Sequence, residues 1–309
     1  MLALCVACAS TVSAQTAVRV RADNDAFNFW QPPWARPDEE YSSGVRASVD
    51  YAGPAFFWKG GSTADRDCGG AQERCLEHTW SLGQNIFTSA RSAADPAPVP
   101  GSRPNAGVLW LQDAQRIARA DRLDEITLAA GVTGEPSLAS PMQSFFHGLA
   151  PAFNRPVDWS HQVPFEPVAN IAYDQHRRAN LGIVEVSPHA GASLGNLLTE
   201  MRGGIGARAG YNLSHPWLRA APLPRIELSI MGDATLRAVA WNTALSGSMF
   251  RESERVTLRP LVAELQAGVA ARFRSASVSY AVHQTGAEYS AHRSVHQWSA
   301  LEAEWRFAK

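Results

Sequence analysis

Three places along this chain carry residue types that do chemistry. Asn24-Asp25 sets a carboxylate beside an amide oxygen, a hard-oxygen pair suited to calcium. The same dipeptide also starts turns at strand ends, and that structural reading stands beside the chemical one. Tyr41-Ser42-Ser43-Gly44 offers the Ser42 hydroxyl, able to hydrogen-bond a water or a substrate oxygen, or simply to sit in a solvated loop. His147, with Trp159-Ser160-His161-Gln162 downstream, brings an imidazole, the natural general base near neutral pH. His292 and His296 are read as loop or lumen residues, because a spacing of four does not make a ligand pair on a strand.

Two further matches are set aside. Gly191-Ala192-Ser193-Leu194-Gly195 fits the nucleophile-elbow string, but that motif needs a strand-to-helix turn, and here it falls on a strand. The Gly-rich run 203–210 lacks the third glycine and the following helix of a dinucleotide site.

The elements that must position these groups are strands. Val18, Val20 and Ala22 alternate with Arg19, Arg21 and Asp23, and Leu301, Ala303, Trp305 and Phe307 alternate with Glu302, Glu304 and Arg306. The same pattern recurs at 79–86, 126–133, 184–187, 204–211, 225–230 and 261–273, with 278–282 following a tight turn near Arg274-Ser275. Each segment has one apolar and one polar face. Together with less regular stretches near 105–114 and 168–178, this gives about twelve strands, the even number of a closed antiparallel barrel. Alternation alone also fits a soluble barrel or sandwich. Adjacent strand residues face opposite ways, so Asn24 and Asp25 can serve one site only where the strand bends or ends.

Residues 1–14 read as a signal peptide, with an apolar core through Ala9 and small residues Val12-Ser13-Ala14 before cleavage, though a positive n-region is missing. Residues 15–309 then form one domain. The leader, the strand count and the aromatic C-terminal strand favour an up-and-down transmembrane β-barrel in a bacterial outer membrane, apolar outside and polar inside. No stretch is long and apolar enough for a spanning helix. A net charge of −1 gives no electrostatic case for nucleic acid. Cys68 and Cys75 flank a Gly-containing loop and are expected to form a disulfide in an oxidising periplasm, free thiols or a metal pair being the alternatives. With both chain ends in the periplasm, the outward loops lie near 26–42, 89–104, 135–166, 196–203, 246–258 and 289–294. The third, from Leu138 to Phe153, is expected to form a short helix over the barrel mouth. Trp30, Trp34 and Trp110 are candidates for the interfacial girdle. Lumen charges of both signs, Arg19, Arg21, Arg46, Asp50, Glu227 and Glu264, are expected to pair and obstruct an open pore.

Taken together, Asn24-Asp25, Tyr41-Ser42-Ser43-Gly44, Arg103-Pro104-Asn105-Ala106-Gly107, Gly134 with Gln143 and His147, Trp159, Gln162 and Gly195-Asn196 resemble the lipid A 3'-O-deacylase family of outer-membrane barrels. The resemblance covers nearly all of the mature chain. It implies a calcium-dependent esterase that removes the acyloxyacyl chain from the 3' position of lipid A in lipopolysaccharide; a monomer is expected. It also implies that Asn24, Asp25, Ser42 and His147 form the active site, with Asp25 and Asn24 toward the metal. Two departures stand out: the family usually has Thr where Ser42 stands, and some members have an acidic residue six positions after the His, where this chain has Phe153. Glu166 is a distant candidate to replace that carboxylate. On this reading calcium polarises the ester carbonyl while His147 deprotonates an attacking water, with Ser42 as orienting hydroxyl or, alternatively, as covalent nucleophile. A non-catalytic barrel, either a pore or a degenerate family member, is the competing class.

Overall fold

The computed structural model describes residues 17–32, 40–52, 75–90, 98–149, 157–218, 223–292 and 295–307. The leader, Trp34, Cys68 and Phe153 lie outside them. The strands are β1 (Ala17–Asn24), β2 (Glu40–Ala52), β3 (Cys75–Thr88), β4 (Ala106–Ala118), β5 (Arg122–Thr133), β6 (Pro167–Arg177), β7 (Ala179–Asn180), β8 (Val184–Gly195), β9 (Leu198–Tyr211), β10 (Ile226–Asn242), β11 (Leu261–Phe273), β12 (Ala276–Thr285) and β13 (His296–Arg306). Two helices accompany them, α1 (Ala139–Leu149) and the short α2 (Thr243–Ser246).

Every strand pairs antiparallel with its neighbours, and β1 closes on β13 from Ala17↔Arg306 to Asn24↔Ser299. The two-residue β7 pairs with β8 in the register that β6 already holds, so β6 and β7 act as one interrupted wall strand. The result is a closed barrel of twelve long strands. Closure leaves no unpaired edge, the condition lipid imposes on a sheet. The tight turn after β11 is present, with Arg274 at a φ of 54° between the paired Phe273 and Ala276.

The alternation becomes two chemically opposite surfaces. Val20, Leu82, Ile205, Ile230, Leu265 and Trp305 stand exposed on the outer wall, which is the lipid-facing belt of such a barrel. The lumen is laced with ion pairs. Arg19 meets Asp50 at 2.7 Å, Arg46 meets Glu302 at 3.5 Å, Arg208 meets Glu227 at 3.3 Å, and Arg237 bridges Glu200 and Glu264. Pairing satisfies charges that would otherwise be costly to desolvate.

Three expectations need correction. Trp110 is not a girdle residue: its indole lies across Gly83 inside the lumen and donates to Asn85 Oδ1 at 2.5 Å. The fourth outward loop is only 196–197, because β9 begins at Leu198 and the polar-then-glycine run still pairs with β8 and β10. The helix of the third loop exists but does not cap the mouth; it lies against the outer face of the wall, as described next.

Candidate active site

The site is assembled at the rim remote from the chain ends. β1 stops at Asn24, whose backbone is still extended, and the Asn24 Oδ1 accepts the Ala26 N–H at 2.7 Å. This N-cap starts a single 3-10 turn, Asp25–Phe27. The strand therefore ends between the two residues, and the alternation of faces no longer separates them. Asp25 is 3% exposed. The turn is pinned to the outer wall: Ser299 Oγ donates to Asn28 Oδ1 at 2.7 Å, Asn28 Nδ2 donates to the Gln297 carbonyl at 2.9 Å, and Tyr280 OH donates to the Phe27 carbonyl at 2.9 Å.

Asn24 pairs with Ser43 on β2. Ser42 is the extra residue of a β-bulge, lying between the pairs Tyr41↔Phe87 and Ser43↔Ile86. Bulges re-aim side chains at barrel rims. Tyr41 turns into the lumen, where its hydroxyl donates to Asp23 Oδ2 and accepts from Asn85 Nδ2, both at 2.8 Å. Ser42 is buried with its Oγ 2.5 Å from Thr88 Oγ1.

The histidine arrives on a helix seated against the adjacent strands. Gly107 on β4 shares the outer face with exposed Leu111. A Cβ at Gly107 would stand 2.2 Å from Ser137 Oγ and 2.3 Å from Ala139 Cβ, so the turn Glu135–Ser137 and the first residue of α1 sit in the space a side chain would fill. Gln84 Nε2 donates to the Ser137 carbonyl at 2.5 Å. This cover explains why Ile86 is 1% exposed although it continues the outward row of Leu82, which is 56% exposed. Gly134 starts the excursion at a φ of 72°, with the Phe165 backbone nitrogen 2.5 Å from where its Cβ would be. Ala139, Gln143 and His147 then repeat every four residues and fall on one helical stripe. Ala139 and Gln143 are buried against the protein, so His147 belongs to the inward stripe and is itself partly covered. Gln143 Oε1 accepts from Trp159 Nε1 at 3.2 Å, while its Nε2 is buried with no hydrogen-bond partner among the described residues.

The structure thus brings Asn24, Asp25 and Ser42 together on β1 and β2 and sets His147 on a helix over β3 and β4. Gln143 stands in the motif, yet the sequence reading does not count it among the site residues. The signal was available, since it stands one helical turn before His147.

Other motif residues turn out to hold the loops. Arg103 is fully buried, lying 3.3 Å from Glu40, 3.4 Å from Glu288 and 3.4 Å from the Ala244 carbonyl, with its guanidinium over the Phe87 ring. Tyr289 OH donates to Glu40 at 2.6 Å. Burial pushes the Glu288 carboxyl above its usual range and, with Glu40 adjacent, raises the Tyr289 phenol as well. This knot lies over a lumen cavity of about 540 Å³ lined by Asn85, Trp110, Glu264 and Trp298. Asn105 accepts the Ser89 N–H at 2.8 Å and donates to the Asp158 carbonyl at 2.7 Å. Glu166 does not stand in for the carboxylate absent at Phe153. It accepts from Asn196 at 2.7 Å, from the Met249 N–H at 2.9 Å and from Ser248, and so ties three loops together. Cys75 is disulfide-bonded, and the expected partner Cys68 lies outside the described residues.

A family model described as Outer membrane protein LpxR matches residues 1–307. The chain belongs to the LpxR family. This is the lipid A 3'-O-deacylase family whose motifs the sequence carries, and it places the protein in the outer membrane. Among solved structures, LpxR from Salmonella typhimurium superposes with a TM-score of 0.74 at 16% identity, covering 95% of this chain and all of that one. The beta domain of the Bordetella autotransporter BrkA gives 0.46 at 11% identity over 96% of this chain and all of its own. A COG4313 outer membrane channel from Pseudomonas putida F1 gives 0.44 at 11% identity, over 99% of this chain and all of its own. No curated protein sequence matches the chain.

The donor chemistry suits a hard cation only sparsely. Among the described residues there is no group of three or more His, Cys, Asp and Glu side chains able to hold a metal. The rim does offer oxygen donors of the right kind: the buried Asp25 carboxylate and the Asn24 amide oxygen, which keeps one lone pair beyond its bond to the Ala26 N–H.

Proposed function

We propose that this LpxR-family barrel is a calcium-dependent lipid A deacylase that hydrolyses the ester carrying the 3' acyloxyacyl chain. The observation that carries this reading is the location of the motif residues. Asn24, Asp25, Ser42 and the helix that carries His147 lie on the lipid-facing side of the rim, while the lumen is crossed by ion pairs and covered by the Arg103 knot. A pore would need the lumen; an enzyme acting on a membrane lipid needs the outside of the wall.

Asp25, with the Asn24 amide oxygen, would hold calcium, which when bound supplies positive charge to polarise the ester carbonyl. His147 accepts a proton from water as the water oxygen bonds to the carbonyl carbon. The bond from that carbon to the 3' oxygen then breaks, the proton passes to the leaving oxygen, and a fatty acid and a 3' hydroxyl result. Ser42 orients the water or the substrate. Its hydrogen bond to Thr88 rather than to an imidazole favours this role over covalent attack. The Gln143 Nε2, a buried donor one turn from His147, would stabilise negative charge developing on the carbonyl oxygen.

Mass spectrometry of lipid A from cells expressing the wild type and His147→Ala tests the reading. Loss of the 3' acyl chain only with wild type, and its suppression by a calcium chelator in a membrane assay, is the expected result. An unchanged spectrum with folded, membrane-inserted wild-type protein would leave a non-catalytic family member instead.

A further inference from the structure

The inward stripe of α1 is accounted for by the wall and the site. The face beside it is not. Met142, Phe145 and Phe146 recur at the spacing of one helical face, and Leu138, the left-handed turn residue just before α1, is exposed with them, Phe145 at 59%. Phe145 and Phe146 pack edge to face with ring centroids 5.6 Å apart. From Leu138 to Leu149 the sequence contains no Asp, Glu, Lys or Arg. An uncharged apolar stripe of this kind on a loop facing water would be an anomaly.

Its setting identifies what covers it. The helix rests on the outer face of β3 and β4 through Gly107, Ser137 and Gln84. Farther down those same strands the outward residues Leu82, Trp80 and Leu111 are exposed on the lipid-facing belt. The stripe therefore continues an interface that the barrel already makes with lipid. We propose that α1 is an interfacial helix whose Met142, Phe145 and Phe146 face, with Leu138 of the turn before it, lies among the acyl chains of the outer leaflet. Its partner is membrane lipid, bound by apolar contact. The buried side then presents His147 from just above the acyl layer, at the depth where ester linkages lie. The lipid contact stands independently of catalysis; its consequence for turnover rests on the deacylase reading.

The test uses the whole protein in vesicles of phosphatidylethanolamine and phosphatidylglycerol carrying nitroxide-labelled acyl chains. Phe145→Cys, and Met142→Cys in case the first fails to fold, are labelled with a small fluorophore. Leu111→Cys reports the belt and Glu135→Cys the exposed turn before the helix. The helix label should be quenched by the nitroxide chains about as strongly as the belt label and at least about twofold more than the turn label, with little quenching by aqueous iodide. Quenching by iodide matching that at Glu135 would overturn the proposal. So would protection from both quenchers, which would mean that a protein surface covers the stripe. In a second arm, Phe145→Ser with Phe146→Ser should slow release of the acyl chain from membrane-embedded lipid A about tenfold, without changing heat-modifiable gel mobility. Strong nitroxide quenching in a protein that releases no acyl chain would support the lipid contact and count against the deacylase reading alone.

Discussion

Gly107→Ala isolates the seating of the helix that carries His147 from the stability of the wall. The added methyl would begin 2.3 Å from Ala139 Cβ and 2.2 Å from Ser137 Oγ. Ser137 can swing its hydroxyl aside, but Ala139 has no rotamer to change. Reaching an ordinary carbon contact requires the first turn of α1 to move outward by about 1 Å. Ala139, Gln143 and His147 share one stripe of an eleven-residue helix, and a hydrogen-bonded helix this short moves as a rod. His147 therefore inherits the displacement. A misplacement of about 1 Å costs on the order of 100-fold in rate, equivalent to about 2.7 kcal/mol of barrier. The overpacking itself costs about 1–3 kcal/mol, borne by a rim element and not by the twelve-strand wall. The assay is the initial rate of 3' chain release, followed by mass spectrometry, with heat-modifiable gel mobility confirming a folded barrel. Gly148→Ala is the control, because a Cβ there meets nothing within 4 Å. A folded Gly107→Ala protein within about threefold of the wild-type rate would refute the claim that this glycine sets the position of His147.

Three further outcomes follow from the rim. Gln143→Ala should lower kcat about 10- to 100-fold with little change in KM, whereas Trp159→Phe, which removes only the bond to Oε1, should cost less; equal losses would assign Gln143 to packing alone. Arg103→Ala leaves Glu40 and Glu288 buried without their cation and should destabilise the loop knot by about 3–5 kcal/mol, read as faster proteolysis within 89–105 and 243–260 while the barrel stays intact. Burial raises the Glu288 carboxyl in the folded state, so its protonated form contributes stability in acid that fades as pH climbs from about 4.5 through the raised value. Glu288→Gln should remove that part of the slope of thermal midpoint against pH; parallel curves for the two proteins would contradict it.

The barrel was legible in the sequence because each strand repeats the same two-sided pattern, and closure needs only that pattern and an even count. The rim was less legible, for two reasons. Ile86 continues an outward row, yet it is buried, because its fate depends on a segment some fifty residues later folding back onto Gly107. Trp110 has the inward parity of β4; reading it as a girdle aromatic followed residue type where alternation pointed the other way. Asn24-Asp25 was legible as chemistry but not as geometry, since the N-cap that takes Asp25 off the strand is an alternative open to any Asn at a strand end. Arg103, Asn105 and Glu166 show the opposite limit. Their residue types fit a site, and only their partners reveal that they brace loops.

The division of labour between wall and rim carries a mechanistic consequence. A lumen crossed by paired Arg, Asp and Glu side chains is a poor path for a solute and a polar place for a lipid chain, so the proposed chemistry on a lipid fits the outer face better. There the wall alone offers only an apolar belt. The candidate site groups reach the lipid-facing side where a strand ends early at Asn24, bulges at Ser42, or carries a glycine that seats a helix at Gly107. Each of these is a local departure from the regular strand that the barrel itself does not require. Their adjacency on β1 to β4 is therefore better explained by a shared task at that rim than by the needs of folding.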